Sequence, residues 1–264
     1  MSSLAREKPN RRFAVGVGLA VLALSSFCSA VAADFRLAQD NTQPGVPILY
    51  MSGEIRAGDR DKLVNLLRSD LRSTPSITNI WMNSPGGDLT EAIKIGAVVE
   101  NLGYAAIVPA GATCASACFF IWVSASGRLA PGEVIIHRPY FDMSNSSQSA
   151  SGFEERYRTT SEAASLYLRQ RNVPFDLVDL LLRVSSSEGY VLSEADKLRI
   201  GPMSAARTEY MVQNCGLPGA SESSRIMAGG GLSPDEQRTL RECSLRFYER
   251  QKREFFFGNV EGTR

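Results

Sequence analysis

Histidine occurs once in these 264 residues, tryptophan twice and cysteine five times. So thin a supply of ligands excludes most metal centres: Cys114 and Cys118, the lone His137 and the distant Cys215 and Cys243 match no usual zinc spacing. No cofactor motif is present, and neither metal nor cofactor is expected. Charge of one sign is lacking too. The formal net charge is +1, no footprint for nucleic acid or an anionic membrane surface. Past the first thirty-odd residues no apolar run approaches a membrane span, and there is no internal repeat.

What is present begins with an address. Arg6, Lys8, Arg11 and Arg12 form a basic start, residues 13–24 form an apolar run short for a membrane span, and Ala30-Val31-Ala32-Ala33 offers small-x-small cleavage sites. Residues 1–33 therefore read as a signal peptide, with an uncleaved anchor as the competing reading. Removing them takes away four basic residues and one acid, so the net charge becomes −2. The mature chain is expected in the periplasm or outside the cell, without a transmembrane segment. Cys28 leaves with the signal, and the other four cysteines form an even set bound for an oxidising compartment. Cys215 and Cys243 bracket a flexible stretch, so they are expected to pair, stabilising by roughly 3 kcal/mol in the chain-entropy model. A local Cys114–Cys118 bridge is the alternative.

Residues 34–46, rich in Asp, Gln, Asn and Pro, read as a flexible lead-in. From there strand and helix patterns alternate. Strands are expected at 48–51, 77–82, 104–108 and 133–136, and helices at 61–71, 89–102 and 115–124. Asp88 and Glu91 suggest a capping box on the second helix. Apolar strands alternating with helices indicate an α/β core with a largely parallel sheet. Helices at 153–171 and 175–184 follow. A Gly/Ser-rich linker at 217–232 then leads to a charged helix at 234–255.

Three motifs fall at the carboxyl ends of expected strands, where open α/β sheets place ligands. Asn83-Ser84-Pro85-Gly86-Gly87 frees backbone amides to point outward, as an oxyanion hole requires, although Pro-Gly-Gly is also an ordinary turn. Thr113-Cys114-Ala115-Ser116-Ala117-Cys118 sets a hydroxyl at the start of an apolar helix, beside its unpaired amides; an N-cap serine has the same signature. Val134-Ile135-Ile136-His137-Arg138-Pro139 carries the sole histidine, the side chain that titrates near neutrality and can act as a general base.

In this order and spacing the motifs resemble the Clp peptidase family of the Clp/crotonase superfold, with its Ser-Pro-Gly-Gly turn, Ala-Ser nucleophile and Ile-His-x-Pro. Leu192-Ser193-Glu194-Ala195-Asp196-Lys197-Leu198-Arg199-Ile200-Gly201 resembles that family's Met-Ser-x-x-Glu-Ala-x-x-Tyr-Gly segment, so the likeness spans about residues 47–205. The small exported Clp-like proteins of bacteria, with Cys-x-Ser-x-Cys around the serine, look closer than the cytoplasmic peptidase. The resemblance implies an α/β spiral of β-β-α units over residues 47–213, with residues 214–264 as linker and C-terminal helical appendage. It implies Ser116 as nucleophile, His137 as base, and an oxyanion hole at Gly86, Gly87 and Ala117. The family's aspartate position holds Gly189, which leaves the adjacent Glu188 as candidate third member.

The expected function is that of an exported, ATP-independent serine peptidase acting on peptides or unfolded proteins. No ATP-driven unfoldase could serve it outside the cytoplasm, and a homo-oligomer is compatible with the resemblance. The alternative is a catalytically inactive Clp-like binding or assembly module.

Overall fold

A computed structural model describes residues 32–39, 47–70, 77–140, 150–216 and 233–258. The signal-peptide reading, all but its last two residues, and the 217–232 linker lie outside the described residues. So does most of the lead-in. No described helix is long and apolar enough to cross a membrane.

The protein is a mixed α/β structure with two sheets. The larger joins β1 (Asp34–Gln39), β2 (Pro47–Ser52), β3 (Asn79–Asn83), β4 (Ala105–Ile107) and β6 (Gly127–Leu129) in the order β1-β2-β3-β4-β6. All its neighbours are parallel except β1, which runs antiparallel to β2. The smaller sheet contains β5 (Thr113–Ala115), β7 (Glu133–Ile136) and β8 (Tyr190–Val191), β5 parallel and β8 antiparallel to β7. β1 corrects the first part of the flexible lead-in: polar Asp34 and Arg36 alternate with Phe35 and Leu37, and Phe35 and Leu37 pack against the core. Composition suggested a loop there, but the period of two makes an edge strand.

Successive strands divide between the sheets. β4 and β5 precede helix α3 (Ala117–Ser124), and β6 and β7 precede α4 (Ala150–Gln170), each pair giving one strand to each sheet. The sequence pattern gave β4 and β7 but passed over β5 and β6, because so short a strand carries little periodicity.

Helices α1 (Asp59–Asp70) and α2 (Leu89–Asn101) cover the larger sheet. Asp88 caps α2 by accepting from Glu91 N at 2.8 Å. The expected box is only half made. Glu91 turns away and accepts from the amides of Gly58 and Arg60 and from Lys94, fastening the start of α1 to α2. α3 is buried at all eight positions, so it reads as apolar on every side. It lies close to α2 at Gly96, where a Cβ would come within 2.8 Å of Ser124 Oγ and 2.5 Å of Tyr167 Oη.

Beyond α5 (Phe175–Arg183) and β8 come α6 (Glu194–Ile200), α7 (Ala205–Cys215) and α8 (Pro234–Phe257). α8 was expected as an appendage. Instead Phe247 and Tyr248 are buried, Phe247 against Tyr210 of α7 and beside Gly103 after α2, and Arg207 donates to Ser244. Its apolar stripe looked modest in sequence because long polar side chains complete the contact. Disulfides join Cys114 to Cys118 and Cys215 to Cys243, so both pairings weighed from the sequence are present.

Candidate active site

Ser84, just after β3, is fixed on three sides. Its amide donates to Thr113 O (2.7 Å), its carbonyl accepts from Ala115 N (3.0 Å) and its hydroxyl donates to Gly53 O (2.6 Å). Gly86 and Gly87 follow with φ of +98° and +136°. A Cβ on Gly87 would lie 2.1 Å from Ile55 O, and one on Gly86 2.6 Å from Ser116 Cβ. Glycine is therefore required twice, and the turn is no free surface loop but the wall behind Ser116.

Ser116 joins β5 to α3 with φ 56° and ψ −121°, a region costing an L-residue about 1–3 kcal/mol. Its amide donates to Ile135 O (2.8 Å) and its carbonyl accepts from Phe119 N (3.0 Å). Its hydroxyl makes no capping bond, so the ordinary reason for a serine at a helix start does not apply. The side chain is half-buried. The amides of Gly87 and Ala117 have no acceptor among the described residues. A Cβ on Gly86 would approach Ala117 N to 2.9 Å, so the glycine turn and the start of α3 are in contact.

His137 leaves the end of β7, the parallel neighbour of β5. Its Nδ1 lies 2.8 Å from Arg138 O, and since a carbonyl only accepts, the proton belongs on Nδ1 and the Nε2 lone pair is left for other work. Arg138 is itself fastened by its amide to Val184 O (2.9 Å). Tyr140 stands near, ring centroids 6.0 Å apart.

Glu188 is not joined to His137. The paired register of β7 and β8 ends with Ile136 opposite Tyr190, so Glu188 lies in the turn before β8, where the Gly189 amide bonds to Ser185 O. The Glu188 side chain is exposed and its amide bonds to Ser185 O. No hydrogen bond joins Ser116 Oγ to His137. The structure thus brings Gly86, Gly87, Ser116 and Ala117 together, sets His137 just past the adjacent strand, and shows no hydrogen bond from Glu188 to it.

Sequence reasoning missed the Arg138 carbonyl as the partner of His137, which no side-chain pattern could signal. It also missed the support behind β8. Asp196 accepts from Tyr190 Oη (3.0 Å) and from Ser193 N and Oγ (3.0 and 2.6 Å), closing a capping box on α6. Burial opposes its charge, but the Ser193 and Tyr190 donors prevail and hold its pKa below the usual carboxylate value. The Ser-x-x-Asp spacing in the sequence could have revealed that box. Among the described residues no cluster could hold a metal ion.

No family model and no curated protein matches this chain. Among solved structures it is similar to one described as a serine-to-alanine mutant of the 1510-N membrane-bound stomatin-specific protease, with 13% identity and a TM-score of 0.42 over 58% of this chain and 75% of that one. An overlap of that size assigns neither family nor chemistry to the chain.

Proposed function

We propose that this protein is an exported serine hydrolase of the Clp peptidase type, acting without ATP on peptides or unfolded segments through Ser116 and His137. One observation carries the reading. Ser116 sits in a left-handed turn against Gly86, beside two amides that lack acceptors. Strain of this kind persists where the surroundings over-determine it, and it concentrates at functional sites. The four motifs in family order support the reading, as does the division of successive strands between two sheets, the arrangement a spiral of β-β-α units gives.

In the proposed reaction Ser116 Oγ attacks the scissile carbonyl while His137 Nε2 takes its proton. The Gly87 and Ala117 amides hold the oxyanion, and His137 returns the proton to the leaving amine. Water then hydrolyses the acyl-enzyme by the same route. Nucleophile–base contacts of this kind commonly tighten only with substrate. In place of a carboxylate, the Arg138 carbonyl fixes the imidazole tautomer, so the machinery is a dyad and Glu188 has no part in it.

A fluorophosphonate probe followed by peptide mapping tests this. Labelling at Ser116 that disappears in Ser116→Ala is expected. Peptide or ester turnover that survives Ser116→Ala in a hydrolase-free preparation would overturn it. The second reading, an inactive Clp-like module, draws on the absent orienting carboxylate and predicts no labelling of the folded protein.

A further inference from the structure

We infer that the Cys114–Cys118 bond is a permanent clamp that holds the backbone of Ser116 in its left-handed conformation, making both cysteines positioning residues for acyl transfer. This rests on Ser116 being the nucleophile. The bond spans two residues on either side of Ser116, tying β5 directly to the first turn of α3. Its two ends are anchored independently. Cys114 lies in register with Val134 on one side and is bridged to Ser84 on the other, while Cys118 belongs to a helix buried at every position.

Hydrogen bonds tie the Ser116 amide to β7 and its carbonyl to Phe119 in the first turn of α3, and the disulfide adds a covalent cross-link between that turn and β5. Were the sulfurs unlinked, only packing and these hydrogen bonds would oppose the relaxation of Ser116 to negative φ, by a local shift of the first turn of α3. That would carry the Ala117 amide away from Gly87. The covalent tie opposes that shift, and so supplies the over-determination that a strained nucleophile needs.

Two other roles fit less well. General stabilisation by a disulfide grows with the loop it closes, and this one has a sequence separation of only 4 against 28 for Cys215–Cys243. A redox switch needs a thiolate to reach a sulfur, yet Cys114 and Cys118 are both 0% exposed. Cys215 is partly open.

The test is the full mature chain carrying Cys114→Ala and Cys118→Ala together. Expected are a fall of at least tenfold in fluorophosphonate labelling and in kcat, KM within twofold, cooperative unfolding retained, and a crystal structure in which φ at residue 116 has left the positive region. Labelling within twofold of wild type with φ still positive would overturn the clamp. If wild type itself is unlabelled, the nucleophile reading fails separately, and φ at residue 116 alone decides the clamp. Should the double variant not fold, Cys114→Val with Cys118→Ala restores volume and is read the same way. In native protein under dithiothreitol, Cys215–Cys243 should open first, and earlier opening of Cys114–Cys118 would overturn its permanence.

Discussion

Gly86 has no room for a methyl group, and the atom in the way is Cβ of Ser116. Gly86→Ala should therefore cost about 2–3 kcal/mol of stability, seen as a lower urea midpoint, and should remove probe labelling by displacing the serine. Glu188→Gln is the opposite case. Loss of an exposed carboxylate that makes no hydrogen bond to His137 should change kcat by less than about tenfold, whereas His137→Ala should abolish turnover. The tight glycine turn and the strand ends carrying Ser116 and His137 were legible in the sequence because glycine, a lone histidine and a serine amid small residues are chemically distinctive. The Arg138 carbonyl was not, since every residue has one. Glu188 was suggested only by its place beside Gly189 in the sequence, which says nothing of hydrogen bonding, and no hydrogen bond joins it to His137.

Helix ends carry the polar support at the next scale. Glu91 is buried, and burial alone would raise its pKa; the amide of Arg60, the ammonium of Lys94 and the amide of Gly58 together lower it below the ordinary 4.5. A carboxylate with a depressed folded pKa stabilises fully above its unfolded value and loses that contribution as pH falls through the folded one. Melting temperature should therefore drop steeply from pH 5 to pH 3, and Glu91→Gln should flatten that part of the profile while lowering stability at pH 7. Arg128 does the converse service. Its guanidinium, 8% exposed and pushed by burial to about 10, donates to the carbonyls of Val123, Ile200, Gly201 and Met203, joining the ends of α3 and α6. Arg128→Met should orphan those carbonyls and cost about 2–4 kcal/mol by chemical denaturation. Amphipathic helices such as α2 and α5 were readable from their period, but α6 and α7 were not. Both start at capping serines, Ser193 and Ser204, and the end of α6 is held by this arginine.

Across the whole molecule, the buried faces of Phe247 and Tyr248 make α8 part of the folded unit and not a tail. A chain ending at Gln213 should lose cooperative unfolding or melt at least several degrees lower, and an unchanged melting curve would show that α8 is dispensable. The alternating α/β plan was visible from strand and helix periods; its division into two sheets was not, because pairing is a long-range property that short strands do not encode. The two bridges have a further consequence for biogenesis. If the chain is exported as proposed and Cys28 leaves with a leader, the first remaining cysteine joins the second and the third joins the fourth. A chain threaded amino end first into an oxidant can therefore close each bridge as its residues emerge, with no wrong partner available at the time. Oxidation coupled to emergence should need no disulfide isomerase, whereas refolding of the whole reduced chain, with all three connectivities open to it, should be accelerated by one.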